Sequence, residues 1–294
     1  MISICIPTHN YIVVDLVKSL VDQGLKSDID FEVIVSDDGS PDDITIKNSV
    51  ISSFENCYYY KHDSNLGLSE NRNTLAEKAA YKYLLFLDGD SKIISPNFIK
   101  SYLKHLSENS EVIYGGRVHP ESVDSSRTLR WKYGIMIEDK TKEQREKTPY
   151  KSTLFNNTLI SKELVAKIKF DKSISTYGHE DTLFAFQLAQ HKSNVQHIDN
   201  PVEHGDIDTN TVYIRKTQKA LKNLYSLYDK GAIDPEFVKF LRAYHKLQML
   251  QITGLISFMF RIFKPRLDAN LMSSNPSLTI FNMYRLGYFC QLSS

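Results

Sequence analysis

The chain has 294 residues, with 36 Lys and Arg against 35 Asp and Glu for a formal charge of +1, and it is 41% hydrophobic and 24% charged. That is the make-up of an ordinary globular protein, so a disordered, collagenous or disulfide-scaffold chain is excluded. The length gives room for one large domain or two modest ones with a sizeable core, and the near-neutral balance gives no reason to expect a nucleic-acid partner.

Residues 2–7 read as a first strand. Pro7 cuts the apolar run short and no basic stretch precedes it, so a strand is expected here instead of a secretion leader, and with it a cytoplasmic protein. A helical pattern over 13–23 leads to a second strand at 31–36, a helix over 42–54 and a short strand at 57–60. Helix 68–81 is followed by the strongly apolar strand Tyr83–Leu87. Ser95 and Pro96 then open another helix as N-cap and first helical residue, before a strand at Val112–Tyr114. Strands alternating with helices of this length predict right-handed crossovers and a mostly parallel α/β sheet flanked by helices. Residues 121–151 are polar and charge-dense around the lone Trp131 and read as a long excursion or mobile loop. Further strands at 155–160 and 194–198 flank a helix starting near Asp181, and from Thr211 to about Lys264 the pattern is helical. Cys5, Cys57 and Cys290 lie far apart, without metal-ligand spacing, and are expected as buried free thiols.

In parallel sheets ligands bind beyond the carboxyl ends of the strands. Here those ends carry Pro7-Thr8-His9-Asn10, Asp37-Asp38-Gly39-Ser40 and Asp88-Gly89-Asp90. Two carboxylates at i and i+2 beyond a buried strand suit a hard divalent cation. Neither glycine-rich phosphate fingerprint is present. Phosphates would therefore be held through a metal, which points away from dehydrogenases and P-loop enzymes.

Residues 4–10, 33–40, the run Asn65-Leu66-Gly67 with Glu70-Asn71-Arg72-Asn73, Asp88-Gly89-Asp90 and Gly178-His179-Glu180-Asp181 together resemble family 2 glycosyltransferases of GT-A fold, over about the first 210 residues. The resemblance implies an inverting, metal-assisted sugar transfer from a nucleotide donor, a UDP-sugar, to a glycan or lipid-linked acceptor. It assigns Pro7, Thr8, His9 and Asn10 to the nucleoside pocket, and Asp38 to a hydrogen bond from the base. Arg72 and Asn73 would line the diphosphate or sugar pocket. Asp88, Gly89 and Asp90 would hold the donor and a divalent metal (Mn or Mg), with His204 near that metal. Asp181, with Glu180 beside it, would be the general base. His9 stands where a tyrosine is common, and Ser91 where a third aspartate often follows.

Two domains are expected: a catalytic one over 1–208, with its nucleotide half to about 115 and its acceptor half beyond, and a helical segment over 209–294. The tail carries 12 basic and 4 acidic residues, a balance of +8. Its apolar run 247–263 is too short to span a bilayer at about 1.5 Å per residue. Packing on the catalytic domain or a second copy, and contact with a membrane surface, stay open. Two rival functions remain: a silent glycan-binding protein of the same fold, and a sugar-1-phosphate nucleotidyltransferase, whose basic glycine-rich loop after strand one is missing.

Overall fold

The computed structural model describes residues 1–293. Its strands are β1 Ile2–Thr8, β2 Phe31–Asp37, β3 Cys57–Lys61, β4 Tyr83–Leu87, β5 Ser91–Ile93, β6 Val112–Tyr114, β7 Arg117–Val118, β8 Asn157–Ser161, β9 Val195–His197 and β10 Val202–His204. Among the described residues β3-β2-β1-β4-β8-β6-β9 form one sheet and β5-β10-β7 a small second one. β1 pairs in parallel with β2 and β4, and β2 with β3, as the crossovers predict. β8 runs antiparallel to both β4 and β6. This is the mostly parallel, helix-flanked sheet that the crossovers and the resemblance lead one to expect.

Every residue of β1, β2 and β4 is buried, so apolar side chains dominate both faces of these strands, and the polar pair inside them, Ser3 and Glu32, is joined by a hydrogen bond. Strand alternation divides them between two cores. Ile4, Ile6, Val33, Val35, Leu85 and Leu87 pack on one face. Cys5, Ile34, Leu84 and Phe86 pack on the other, against Phe155, Phe170 and Phe184. All three cysteines are buried and free, and burial pushes the Cys57 and Cys290 thiols up to about 11.

Several element boundaries differ from expectation. The helix after β5 is Phe98–His105, because the Ser95 hydroxyl accepts the Asn97 N–H and holds a turn there. Residues 121–151 are largely ordered helix: Thr128–Tyr133 buries Leu129, and Lys142–Glu146 starts with a Thr141–Gln144 capping box. The Trp131 indole donates to the Pro120 carbonyl and anchors the stretch. The run 247–263 is broken at Gln251 (φ +57°) between helices Lys239–Met249 and Thr253–Leu271. The second of these continues through Pro265, since Phe260 and Leu271 pack with Phe281 and Tyr284 of the helix Leu278–Leu292.

The chain forms two compact units. One contains Met1–His119, Asp139–Ser175 and Glu180–Asp206; the other contains Pro120–Glu138, Thr176–His179 and the chain from Ile207 onward. No helix among the described residues is long and apolar enough to cross a membrane.

Candidate active site

Three groups of expected residues gather at the strand ends. The first joins the ends of β1 and β2. The Asp38 amide donates to the Thr8 carbonyl at 2.9 Å, and the Asn10 amide donates to the Ser40 hydroxyl at 2.8 Å. His9 Nδ1 lies 2.8 Å from the Asp38 carbonyl and its Nε2 lies 3.0 Å from the Asn10 amide nitrogen. With Nδ1 protonated, both contacts are satisfied by a neutral ring. Pro7 and Thr8 are buried within this frame. The Asp38 carboxylate takes the Leu66 N–H at 2.6 Å and the Gly67 N–H at 3.0 Å, so it builds the loop into the helix Leu68–Lys78. Gly67 has φ +88°, and a Cβ there would lie 2.7 Å from the Ser175 carbonyl, so only glycine fits.

The second group centres on Arg72, which projects from that helix and is 1% exposed. Its Nη1 lies 2.5 Å from Asp181 and 3.6 Å from Glu180, and its Nη2 lies 3.1 Å from Asp88. The rings of Phe155 and Phe170 lie 5.9 and 5.3 Å from the guanidinium carbon. The other Asp181 oxygen accepts the Phe155 N–H at 3.0 Å. One cation thus gathers carboxylates from the end of β4 and from the first turn of the helix Glu180–Gln190, where acidic groups also meet the helix dipole. Glu180 and Asp181 both reach Arg72, although adjacent helical positions point about 100° apart.

These contacts shift ionisation. Burial, then the Asp181 charge, raises Glu180 to about 7, with Arg72 pulling the other way. Asp88 is also raised, first by loss of water and opposed by Arg72, although its side chain keeps 35% exposure at the rim. Burial opposes the Arg72 charge, but Asp181, Asp88 and Glu180 together hold it more firmly protonated than usual.

The Asn73 side-chain amide donates to the Phe170 carbonyl and accepts the Phe170 N–H, both at 2.9 Å, so it clips that segment to the helix Leu68–Lys78.

The third group is Asp90 with His204. β10 pairs with β5 so that His204 stands opposite Ser91, and its Nε2 lies 2.9 Å from Asp90 Oδ2. His204 Nδ1 is buried without a hydrogen-bond partner. Sequence reasoning missed what stands behind it. The His119 ring packs edge-on against His204 at 5.2 Å, and Asp139 binds His119 twice, at Nδ1 (2.6 Å) and at the backbone N–H (2.9 Å). His119 directly follows β7, so the strand-end rule applied to this short strand would have found it. Asp90, His204 and Asp88 are suitable donors for Mn²⁺ or Mg²⁺. Among the described residues no three histidine, cysteine or acidic side chains already converge on one point. Such cations commonly take one or two carboxylates and fill their shell with substrate phosphate and water.

The chain leading into the helix Glu180–Gln190 is strained. Gly178 has φ +104° and a Cβ there would lie 2.5 Å from that of Ala220; His179 follows at φ +72°. Burial, then Arg285, lowers the His179 pKa to about 4, so it is neutral at physiological pH.

The profile of "Glycosyl transferase family 2" matches residues 3–169. The chain belongs to glycosyltransferase family 2. This family 2 glycosyltransferase is similar to an uncharacterized glycosyltransferase of Rickettsia conorii, at 33% identity over 37% of this chain and 18% of that protein. It also resembles a GalNAc(5)-diNAcBac-PP-undecaprenol beta-1,3-glucosyltransferase of Campylobacter jejuni, at 24% identity over 62% of this chain and 58% of that one. It therefore spans only about a fifth of the Rickettsia protein. The mannosyltransferase PcManGT of Pyrobaculum calidifontis, solved with GDP-Man and Mn²⁺, shares the fold at TM-score 0.56 and 12% identity, covering 97% of this chain and 85% of that one. TarS of S. aureus, residues 1–349 with UDP, does so at 0.51 and 17%, covering 100% and 92%.

Proposed function

We propose that this glycosyltransferase moves a sugar from a UDP-sugar to a glycan or lipid-linked acceptor, with inversion, and that Asp181 is the general base. The observation that carries this reading is the Arg72 cluster, which fixes Asp181 beside Asp88 at the carboxyl edge of the sheet. The likeness to proteins solved with UDP and with GDP-Man supports a nucleotide-linked donor, the likeness to one that acts on an undecaprenol-linked glycan supports the acceptor class, and the choice of UDP rests on the resemblance drawn from the sequence.

In this reading Asp38 and the His9-Asn10 turn shape the nucleoside pocket, while Asp88, Gly89 and Asp90 face the diphosphate. Asp88, Asp90 and His204 would hold a divalent metal, which when bound supplies Lewis-acid stabilisation of the departing diphosphate. Asp181 keeps 18% exposure, against 9% for Glu180, so it is the carboxylate that an acceptor hydroxyl can reach. It takes the hydroxyl proton as the new bond to the anomeric carbon forms and the bond to the diphosphate breaks. Arg72 and the Phe155 N–H each occupy one lone pair of Asp181 and so fix its orientation. Attack from the face opposite the leaving group inverts the centre.

Asp181→Asn keeps the size but cannot accept the proton. Transfer should fall roughly 10²–10⁴-fold, with UDP affinity by calorimetry nearly unchanged. Near-normal turnover would remove Asp181 from this role, and a parallel loss of UDP binding would make it a structural residue. Donor hydrolysis or transfer by the wild type separates an enzyme from a silent glycan-binding protein.

A further inference from the structure

We infer that the helix Thr253–Leu271 is a docking surface for an anionic lipid bilayer, a role beyond the transfer reading and tested without it. Two faces of this helix behave differently. Ser257, Phe260 and Leu271 are buried toward the helix Leu278–Leu292. Leu255, Phe258, Met259, Ile262 and Phe263 recur at three- and four-residue spacing along the other face and stay in solvent, with Phe258 58% and Ile262 55% exposed. Met283 of the neighbouring helix and Met249 and Leu250 of the preceding turn are exposed as well. A groove lined by Ile256, Met259, Phe263, Met283 and Leu286 continues the apolar surface between the helices. Exposed apolar side chains concentrated in this way mark an interaction site, because scattered single residues are the norm elsewhere.

Charge decides the occupant. Arg261 and Arg266 are exposed on the same helix, and Lys264 is paired with Asp268, the only acidic residue between 253 and 271. The whole tail carries the +8 balance given above, with Lys239 and Lys246 exposed on the preceding helix. A two-fold pair of chains would set this patch against its own copy and gather the basic side chains of both in one interface, with Asp268 already paired to Lys264. A bilayer rich in anionic headgroups answers both parts, since the aromatic and aliphatic side chains enter the interface and the basic ones meet phosphate.

The test is co-sedimentation of the full chain with phosphatidylglycerol-containing vesicles and with pure phosphatidylcholine vesicles, at low and high salt. Binding to the anionic vesicles alone, weakening as salt screens the charges, is expected. Arg261→Gln with Arg266→Gln should lower partitioning roughly 25-fold, at about fivefold per basic residue. Phe258→Ser with Ile262→Ser should lower it at least tenfold at every salt concentration. All four side chains are solvent-facing, so unchanged circular dichroism is expected. No binding to anionic vesicles at low salt, or equal binding to neutral ones, overturns the inference. So does a dimer in light scattering that Phe258→Ser with Ile262→Ser converts to monomer while vesicles are ignored.

Discussion

Glu180 is the place where site electrostatics should be readable as stability. Its carboxyl is raised from 4.5 to about 7, so between those pH values the folded chain holds a proton that the unfolded chain has lost. Unfolding then releases that proton, and stability must fall as pH rises through this window and level off above it. At about 1.4 kcal/mol per unit, the full difference is roughly 3 kcal/mol. Asp88, raised in the same direction, adds to the slope. Glu180→Gln replaces the group by a neutral one of the same shape and removes its part. Urea unfolding at pH 5 and pH 8 should therefore show the variant gaining about 2–3 kcal/mol on the wild type at the higher pH relative to the lower. Transfer by this variant should persist, because Glu180 lies deeper than Asp181. Parallel pH profiles for the two proteins would refute the assignment of the burden to Glu180. A dead variant, joined to a wild-type rate that breaks near pH 7, would instead move the general base there, since a base works best with a pKa near the operating pH.

Arg72→Gln leaves Asp88, Glu180 and Asp181 facing one another without their shared cation. Stability should drop by about 3 kcal/mol at pH 8 and less at pH 5, where the carboxyls can protonate; the partial exposure of Asp88 keeps the loss at the lower end for a broken buried pair. Gly178→Ala drives a methyl group into Ala220 at a positive φ, so unfolding should cost 1–3 kcal/mol less (order of magnitude) and transfer should fall with the displaced Glu180-Asp181 turn. His119→Ala removes the ring packed edge-on against His204, and Mn²⁺ affinity measured by electron paramagnetic resonance should weaken as His204 gains freedom to turn; unchanged affinity would make the His119–Asp139 pair a fold element only.

The sheet was legible because its signal is local. Residues 2–7, 31–36 and 83–87 carry apolar side chains on both parities, with Ser3, Glu32 and Ser36 the polar exceptions, as expected of strands covered on both faces. The parallel pairing of β1, β2, β3 and β4 follows from the crossover helices alone. What failed were features set by single hydrogen bonds or by distant packing. The Ser95 hydroxyl delays the helix expected to open at Ser95 and Pro96, and Gln251 in a left-handed conformation divides a run that hydropathy treats as continuous. The excursion at 121–151 looked irregular because its charged residues outnumber its apolar ones, while its order comes from Leu129, Arg130 with Glu138, and Trp131.

The site divides in the same way. Reading strand ends finds Asp38 and Asp88 because each directly follows a buried strand, and Asp90 because it stands two residues beyond Asp88. It does not reveal which carboxylates share a cation, since Arg72 and Asp181 are 109 positions apart and their 2.5 Å contact exists only through the helix Leu68–Lys78 and the turn at Gly178. Nor does it tell which of two adjacent polar side chains meets those carboxylates. Arg72 and Asn73 are neighbours with similar polarity, yet they leave the helix about 100° apart. That rotation sends one side chain into the carboxylates and the other to the Phe170 backbone. The same consideration applies to Asp38: its two oxygens take the amides of Leu66 and Gly67, so any contact with a base must use the lone pairs that remain. Asp38 therefore ties the turn after β1, through its backbone, to the loop from which Arg72's helix begins, through its carboxylate.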